Sequence, residues 1–587
     1  MSLSSSVRSH VLSFPRELGP VLVRTTRKTI PIRKRLVWLA GATAAYILLL
    51  VLFRHWPWTE TAAPLFQYLL LLPLTWVLIT CTYDANPHKL MLPSCVTVAI
   101  ALCAFLIAVP LARHGSHGLL NPDENGYSFQ ARMFLKGKLM AAPLPGASWS
   151  GKDTPAEVNY ENHVLLPRGW FTHFPPGWPL LLACGYALHA PWLLNPLLGL
   201  VLLILSASIG RSFLSHNTGS LTVVLLCTCP FFLANTVRMM SHMLCACMAA
   251  SACWLLFRGL SRRELWPLTG MFALLVLMFH IRPYTGFALT VVFAGVAIWY
   301  SRHERRSLVR LLIVAGIFGV VTIASELLYN RLYTGHVLIS PYAAKVGAEV
   351  PPELTLNPRL IFYFLHRNAI HTFVETLFGT FPFLFLLAGY AFWQEKKYVR
   401  EIRTLAALFG SLVLAYLLHT ESSASVYGSR FHFEAFFAIG LMGARGLDLL
   451  VERYKVSQYV LLIALALLLA IQAAHLRVAS EFLWSRGEPY RKVKSAIASL
   501  PASADLVFLH SSQGMAPDFN PKFLNLNDPD WRRAPVIYLI DAEPDRREEW
   551  ACRFGRSTWF IVGYDAVTGN ILEQAGHGRC PPAKKDV

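Results

Sequence analysis

Charge is scarce in this chain. Asp, Glu, Lys and Arg make up 15% of 587 residues, against 55% hydrophobic residues, and the mean hydropathy is +0.44. That balance excludes an ordinary soluble domain. Glycine-rich phosphate loops of the GxxxxGK[ST] or GxGxxG kind are missing, so nucleotide-driven chemistry within the chain is not expected. There is no CxxC pair and no zinc spacing among the eleven cysteines, no internal repeat and no heptad. The N-terminus lacks the pattern of a cleavable signal, because its basic stretch is long and no small-x-small site follows the first apolar run.

What is present is a series of apolar runs of about 17–22 residues, the length that crosses a bilayer. They fall at 37–53, 65–83, 92–112, 192–209, 219–236, 240–257, 266–281, 284–300, 308–328, 371–391, 403–419, 433–450 and 457–476. The expected fold class is therefore a polytopic α-helical membrane protein with about 13 transmembrane helices. The net charge of +19 is not that of a nucleic-acid binder, because the basic residues sit in clusters beside apolar spans. Arg24, Arg27, Lys28, Arg33, Lys34 and Arg35 precede the first run. Arg258, Arg262 and Arg263, then Arg302, Arg305 and Arg306, then Lys396, Lys397, Arg400 and Arg403 flank later ones. With residues 1–36 as a basic cytoplasmic segment, every cluster falls on the cytoplasmic side of an inner or plasma membrane, against anionic lipid. Loop 113–191, loop 330–370 and everything after 477 then lie outside. Residues 37–478 form the membrane domain.

Residues 479–587 change character. "RKVKSAIASL" and "PDRREEWACRF" read as helices, and "DLVFLH", "PVIYLID" and "TWFIVGYD" as buried strands, giving a small C-terminal α/β domain on the extracytoplasmic, periplasmic side. Cys552 and Cys580 would meet an oxidising compartment there and are candidates for a disulfide. The other nine cysteines lie in or beside apolar runs, as small core residues.

In loop 113–191 the stretch "NPDENGYSFQAR" places two carboxylates, Asp123 and Glu124, together. Locally the pattern is a helix start: Asn121 suits the N-cap, Pro122 the first helical position, and the acids the positive end of the helix dipole. The helix is expected to stop at Gly137. By position, the same start presents a carboxylate just beyond the third span, where it would serve as a base. Downstream, "RGWFTHFPPGWPLLLA" makes a rigid proline corner that carries His173 close to the interface. Arg238, His242, His280, Arg282, Glu326, Glu375, Arg430, His432 and Glu434 sit at span ends that fall on the same outer face. Singly, each would be a snorkelling anchor. Together they suggest a polar cavity in which guanidinium and imidazole groups bind a lipid phosphate while an acid deprotonates an acceptor.

These motifs resemble the GT-C superfamily of membrane glycosyltransferases, in particular the bacterial proteins related to dolichyl-phosphate-mannose protein mannosyltransferases and to the lipid A aminoarabinose transferase. The similarity is carried by Asp123–Glu124 in "DENGYSFQARMFLKGKL" and by the Pro-Pro corner "HFPPGWPLLLA". Weaker matches are "MSHMLCACMAA", "HIRPYTG", "NRLYTGHVLISPY" and "YGSRFHFEA", so that roughly 113–450 is covered. The resemblance implies inverting transfer of a sugar from a polyprenyl-phosphate donor to an envelope glycan, lipid or protein acceptor. It places Asp123 as general base and Glu124 as the residue orienting the acceptor or Asp123. For the donor phosphate, Arg282, Arg430, Arg238 and His173 are the candidates. Many relatives carry Lys before the Pro-Pro, whereas here His173 stands one residue further off, behind Phe174. Two spans more than the usual one precede the acidic loop. A second acid would be Glu326 or Glu375. No metal ligands are assigned, and a divalent cation, Mg or Mn, is left open. Two other readings are carried: a lipid or sugar transporter or flippase without glycosyl transfer, which would favour repeated halves and midplane sites, and a non-catalytic scaffold.

Overall fold

The computed structural model describes residues 94–116, 121–145, 154–346, 383–417, 430–454, 487–511, 519–556, 558–565 and 568–577, with a few positions between 359 and 370 and residue 419. The spans expected at 37–53, 65–83 and 457–476, most of 371–391, the segment 1–36, Glu375 and Cys580 lie outside the described residues.

The elements are, in order, α1 (Ser94–Ser116), α2 (Pro122–Leu135), β1 (His163–Leu166), β2 (Gly169–Thr172), α3 (Gly177–Ala187), α4 (Leu194–Phe213), α5 (His216–Cys227), α6 (Pro230–Val237), α7 (His242–Arg262), α8 (Leu265–Phe279), α9 (Pro283–Ser301), α10 (Arg305–Thr334), α11 (Pro341–Val346), α12 (Leu384–Gln394), α13 (Val399–Tyr416) and α14 (Phe436–Tyr454). Then follow α15 (487–499), β3 (Leu506–Ser511), β4 (Ile537–Ile540), α16 (Arg547–Arg553), β5 (Thr558–Tyr564) and β6 (Ile571–His577).

Among the described residues five helices are long and apolar enough to cross a membrane: α1, α4, α7, α9 and α10. The run expected as one span at 219–236 is instead two helices, α5 and α6, bent by 68°. Pro230 causes the break: it has no N–H to continue the ladder and pushes Cys229 into extended backbone. α8 and α12 are shorter apolar helices, and α13 and α14 stand at the runs expected near 403–419 and 433–450. Only 6% of the apolar stretch of α10 is buried against the rest of the protein, whereas α7 is 67% buried and central. Close helix approach depends on glycine at the α12–α14 contact, where a Cβ on Gly446 would overlap the Leu387 carbonyl.

Two ends of the bundle differ. At one, Arg400 bonds Ser261 and lies over Tyr300, gathering the basic ends of α7, α9 and α13. At the other stands α2, with Arg238, His242, Arg282 and Arg430.

Two features lie beyond the sequence expectations. Residues 163–172 form an antiparallel hairpin, β1–β2. The C-terminal sheet has the order β4-β3-β5-β6, with β3 parallel to β4 and β5, and a fourth strand, β6, antiparallel to β5. This sheet shares one hydrophobic core with loop 113–191 and the end of α10: Phe129 and Met133 of α2, Trp170 and Phe171 of β2 and Tyr333 of α10 pack with Leu506, Phe508, Trp531, Leu539 and Trp550. Polar ties cross the same boundary. The Tyr160 hydroxyl donates to the Tyr538 carbonyl (2.9 Å), and the Ile540 N–H to the Glu157 carbonyl (2.8 Å). Cys552 on α16 is disulfide-bonded.

Candidate active site

The site begins with the start of α2. Asn121 caps it, its side chain accepting from the Asp123 N–H at 2.8 Å, and Pro122 occupies the first turn. Lys136 and Gly137 end the helix, Gly137 with φ +66. Gln130 ties α2 to the proline corner. Its Nε2 donates to the Phe174 carbonyl (3.1 Å), and its Oε1 accepts from Thr172 (2.5 Å). The corner itself presses on the α8–α9 turn. The Gly177 N–H donates to the His280 carbonyl (2.9 Å), and a Cβ on Gly177 would stand 2.6 Å from Ile281 and 2.8 Å from that carbonyl oxygen. Only glycine fits there.

The arginines arrive on three separate breaks. Arg238 closes α6, and its turn is pinned because Asn195 donates to the carbonyls of Arg238 and Met240 while the Trp178 indole donates to that of Met239. Arg282 precedes Pro283, which keeps it out of the helix that follows. Arg430 opens a short 3-10 turn leading into α14.

Each arginine faces a carboxylate. Arg238 Nε lies 3.1 Å from Glu124 Oε1, Arg430 Nη1 lies 3.4 Å from Asp123 Oδ2, and Arg282 Nε lies 2.9 Å from Glu434 Oε1. His242 Nδ1 shares Glu434 Oε1 at 2.7 Å. Tyr127, on the same side of α2 as Asp123, shares a hydrogen bond with Ser241 (3.1 Å), and Ser241 accepts from Arg282 Nη1 (3.3 Å). Burial raises the Tyr127 phenol to about 12, so it stays protonated. The Arg430–Asp123 contact is the longest of the three pairs, and Arg430 Nε is buried with no hydrogen-bond partner among the described residues. A guanidinium in that condition is ready for a further anion.

Asp123, Glu124, Arg238, Arg282 and Arg430 are thus gathered at one end of the bundle. His173 stands beside them on the loop, its backbone N–H donating to the Asn162 carbonyl and its ring edge-on to Tyr342. Burial, with Lys345 nearby, pushes its imidazole down to about 3, so at neutral pH it is uncharged and would meet a phosphate by hydrogen bonding alone. Glu326 stands on α10 and makes no ion pair with these residues. Among the described residues no three His, Cys, Asp or Glu side chains gather to hold a metal ion. Glu434, expected among the polar residues at the span ends but not as a candidate acid, joins the cluster through Arg282 and His242. Asn162 and Lys345 also enter, and nothing in their local sequence marks them.

No family model matches the sequence, and no curated protein matches it. Solved structures similar in shape include ArnT from Cupriavidus metallidurans bound to undecaprenyl phosphate, with a TM-score of 0.47 and 14% identity over 80% of this chain and 93% of that one. Others are the Archaeoglobus fulgidus oligosaccharyltransferase in complex with Zn and sulfate (TM-score 0.41, 13% identity, 79% and 68%) and the arabinosyltransferase EmbB from Mycobacterium smegmatis (TM-score 0.31, 12% identity, 70% and 44%).

Proposed function

We propose that the chain is an integral-membrane glycosyltransferase that moves a sugar, with inversion, from a polyprenyl-phosphate donor to an envelope glycan, lipid or protein acceptor on the outer face of the membrane. The observation that carries this reading is the Asp123–Glu124 start of α2 set against Arg238, Arg282 and Arg430 at one end of an apolar bundle. That end holds both components of the reaction: an acid for the acceptor and cations for a phosphate.

The acceptor O–H or N–H gives its proton to the Asp123 carboxylate. Its lone pair forms a bond to the anomeric carbon as the bond from that carbon to the phosphate oxygen breaks. The electron pair leaves on the phosphate, giving polyprenyl phosphate. Arg430, with Arg238 and Arg282, would stabilise that developing charge, and a general base contributes about 10²–10⁴-fold. Glu124, held by Arg238, orients the acceptor. No step is assigned to a metal, since each carboxylate here faces a guanidinium.

The test uses purified protein in nanodiscs with a panel of radiolabelled polyprenyl-phosphate sugars and a crude envelope-glycolipid acceptor. Transfer by the wild type, lost in an Asp123→Asn variant that melts normally, supports the reading. Equal turnover by that variant overturns the base assignment, and donor that is left unconsumed in nanodiscs but crosses the bilayer of sealed proteoliposomes points to a flippase.

A further inference from the structure

Among the described residues, Asn162 is the uncharged residue that donates a hydrogen bond to the Asp123 carboxylate. It has φ +65, a left-handed backbone conformation that asparagine tolerates better than most residues, and it is 7% exposed. Its Nδ2 donates to Asp123 Oδ1 at 2.8 Å, the oxygen not facing Arg430. Its Oδ1 accepts from Lys345 Nζ at 3.4 Å, and the same ammonium donates to Glu161 Oε1 at 3.1 Å. Its backbone carbonyl accepts from the His173 N–H at 3.2 Å. Gly126 of α2 leaves room for the neighbouring Phe174 ring, which a Cβ there would approach to 2.7 Å.

The amide has one orientation that satisfies both neighbours. With nitrogen toward the carboxylate and oxygen toward the ammonium both contacts attract; reversed, both repel. Lys345 therefore sets which way the Asn162 amide points, and Asn162 in turn sets the plane of the Asp123 carboxylate. One carboxylate oxygen is occupied and the other, Oδ2, is left on the Arg430 side.

We infer that Asn162 is a positioning residue for Asp123, and that Lys345, carried on α11 about 180 residues away in sequence, locks it. This rests on the glycosyl-transfer reading of the same site. Asn162 holds Oδ1 and leaves Oδ2, which meets Arg430 at 3.4 Å, as the oxygen to take the acceptor proton once the guanidinium turns to the phosphate. A misdirected base at this range costs about 10–100-fold in rate while substrate binding is largely kept.

Two replacements separate this role from a merely structural one. Asn162→Gly keeps a backbone that accepts φ +65 but removes the amide; Asn162→Ala removes the amide and strains the backbone. Transfer is measured as kcat and donor KM in nanodiscs, beside thermal melts. Asn162→Gly is expected to melt within a few degrees of wild type, with kcat down about 10–100-fold and KM within about threefold. Lys345→Met is expected to lower kcat by less, Lys345→Arg to restore most of it, and the Asn162→Gly/Lys345→Met double variant to be no slower than Asn162→Gly alone. Full kcat in a stable Asn162→Gly variant, with an active wild type and an inactive Asp123→Asn, overturns the inference and leaves the reading standing. A wild type that transfers no sugar overturns the reading, and the inference with it.

Discussion

Asp123 and Arg430 are 307 residues apart in sequence and meet at 3.4 Å, carboxylate to guanidinium, at one end of the helix bundle. The relation joins a loop-helix N-terminus to the turn that opens α14. On the proposed reading, an arriving donor phosphate would take the guanidinium and free the carboxylate.

The pair gives an ordered expectation for activity. Asp123→Asn should lower kcat by about 10²–10⁴-fold with little change in donor KM, because a base acts in the transition state. If Arg430 meets the donor phosphate in both states, as proposed, Arg430→Ala should raise donor KM as well as lower kcat. Arg430→Lys should recover part of the loss, a point charge replacing a planar fork. The nanodisc transfer assay separates these, and unchanged kinetics in Arg430→Ala would remove it from the donor site.

Glu434 is wholly buried and faces Arg282 at 2.9 Å, with His242 on the same oxygen. Glu434→Gln should leave the guanidinium without its counter-charge and cost about 3–5 kcal/mol, seen as a lower melting temperature. Replacing both partners with apolar residues, Glu434→Leu with Arg282→Met, should recover much of that stability. Transfer should not return, because the arginine is gone. Recovery of both would make the pair structural only.

How much of this was legible depends on range. The cap of α2 was, because Asn121, Pro122 and Asp123 act within one turn of each other. So were the helices at the described apolar runs, since a run of that length leaves few choices in lipid; the thirteen expected take in runs outside the described residues. The bend between α5 and α6 could have been read from Pro230, but the run reads as one when hydropathy alone is followed. The β1–β2 hairpin was hidden by its four-residue strands, and β6 by "ILEQAGH", which has little apolar alternation. The partners of the acids were not legible at all: Arg238, Arg282 and Arg430 stood out as charges at span ends, but which carboxylate each meets is decided by packing. Asn162 is invisible for a further reason, its role residing in a left-handed backbone and an amide orientation that no residue pattern encodes.

Gly446 tests the packing that sets the position of α14, and hence of Arg430. An alanine Cβ there would overlap the Leu387 carbonyl of α12. Helix propensity alone would make Gly→Ala stabilising by about 1 kcal/mol. Overlap with rigid backbone reverses the sign, with an expected loss of about 1–3 kcal/mol. Gly295→Ala on α9 is the control, since a Cβ there meets nothing within 4 Å. Thermal melts of the two variants should move in opposite directions, and a stable Gly446→Ala would show that α12 and α14 can separate freely.

Acid should loosen the seam between the loop and the C-terminal sheet through His163. This residue is buried, with Nδ1 donating to the Glu161 carbonyl (2.7 Å) and Nε2 accepting from Asn525 Nδ2 (2.9 Å). A neutral ring satisfies both partners, and a second ring N–H would face the Asn525 amide donor. Burial, with Lys345 and Arg132 adding to it, pushes the imidazole down to about 3, against about 6.5 in an unfolded chain. Above about pH 6.5 neither state holds the extra proton, and the contribution to stability is fully present. Between about pH 6.5 and 3 the unfolded chain takes up a proton that the folded chain refuses, so stability falls as pH falls. His173, pushed down in the same way, adds to the slope. His163→Gln cannot titrate and keeps an acceptor for Asn525. Its melting temperature should decline less than that of wild type from pH 7 to pH 4, with the difference between the two constant above about pH 7. Parallel curves over the whole range would show that His163 takes up its proton in the folded protein as readily as in the unfolded one.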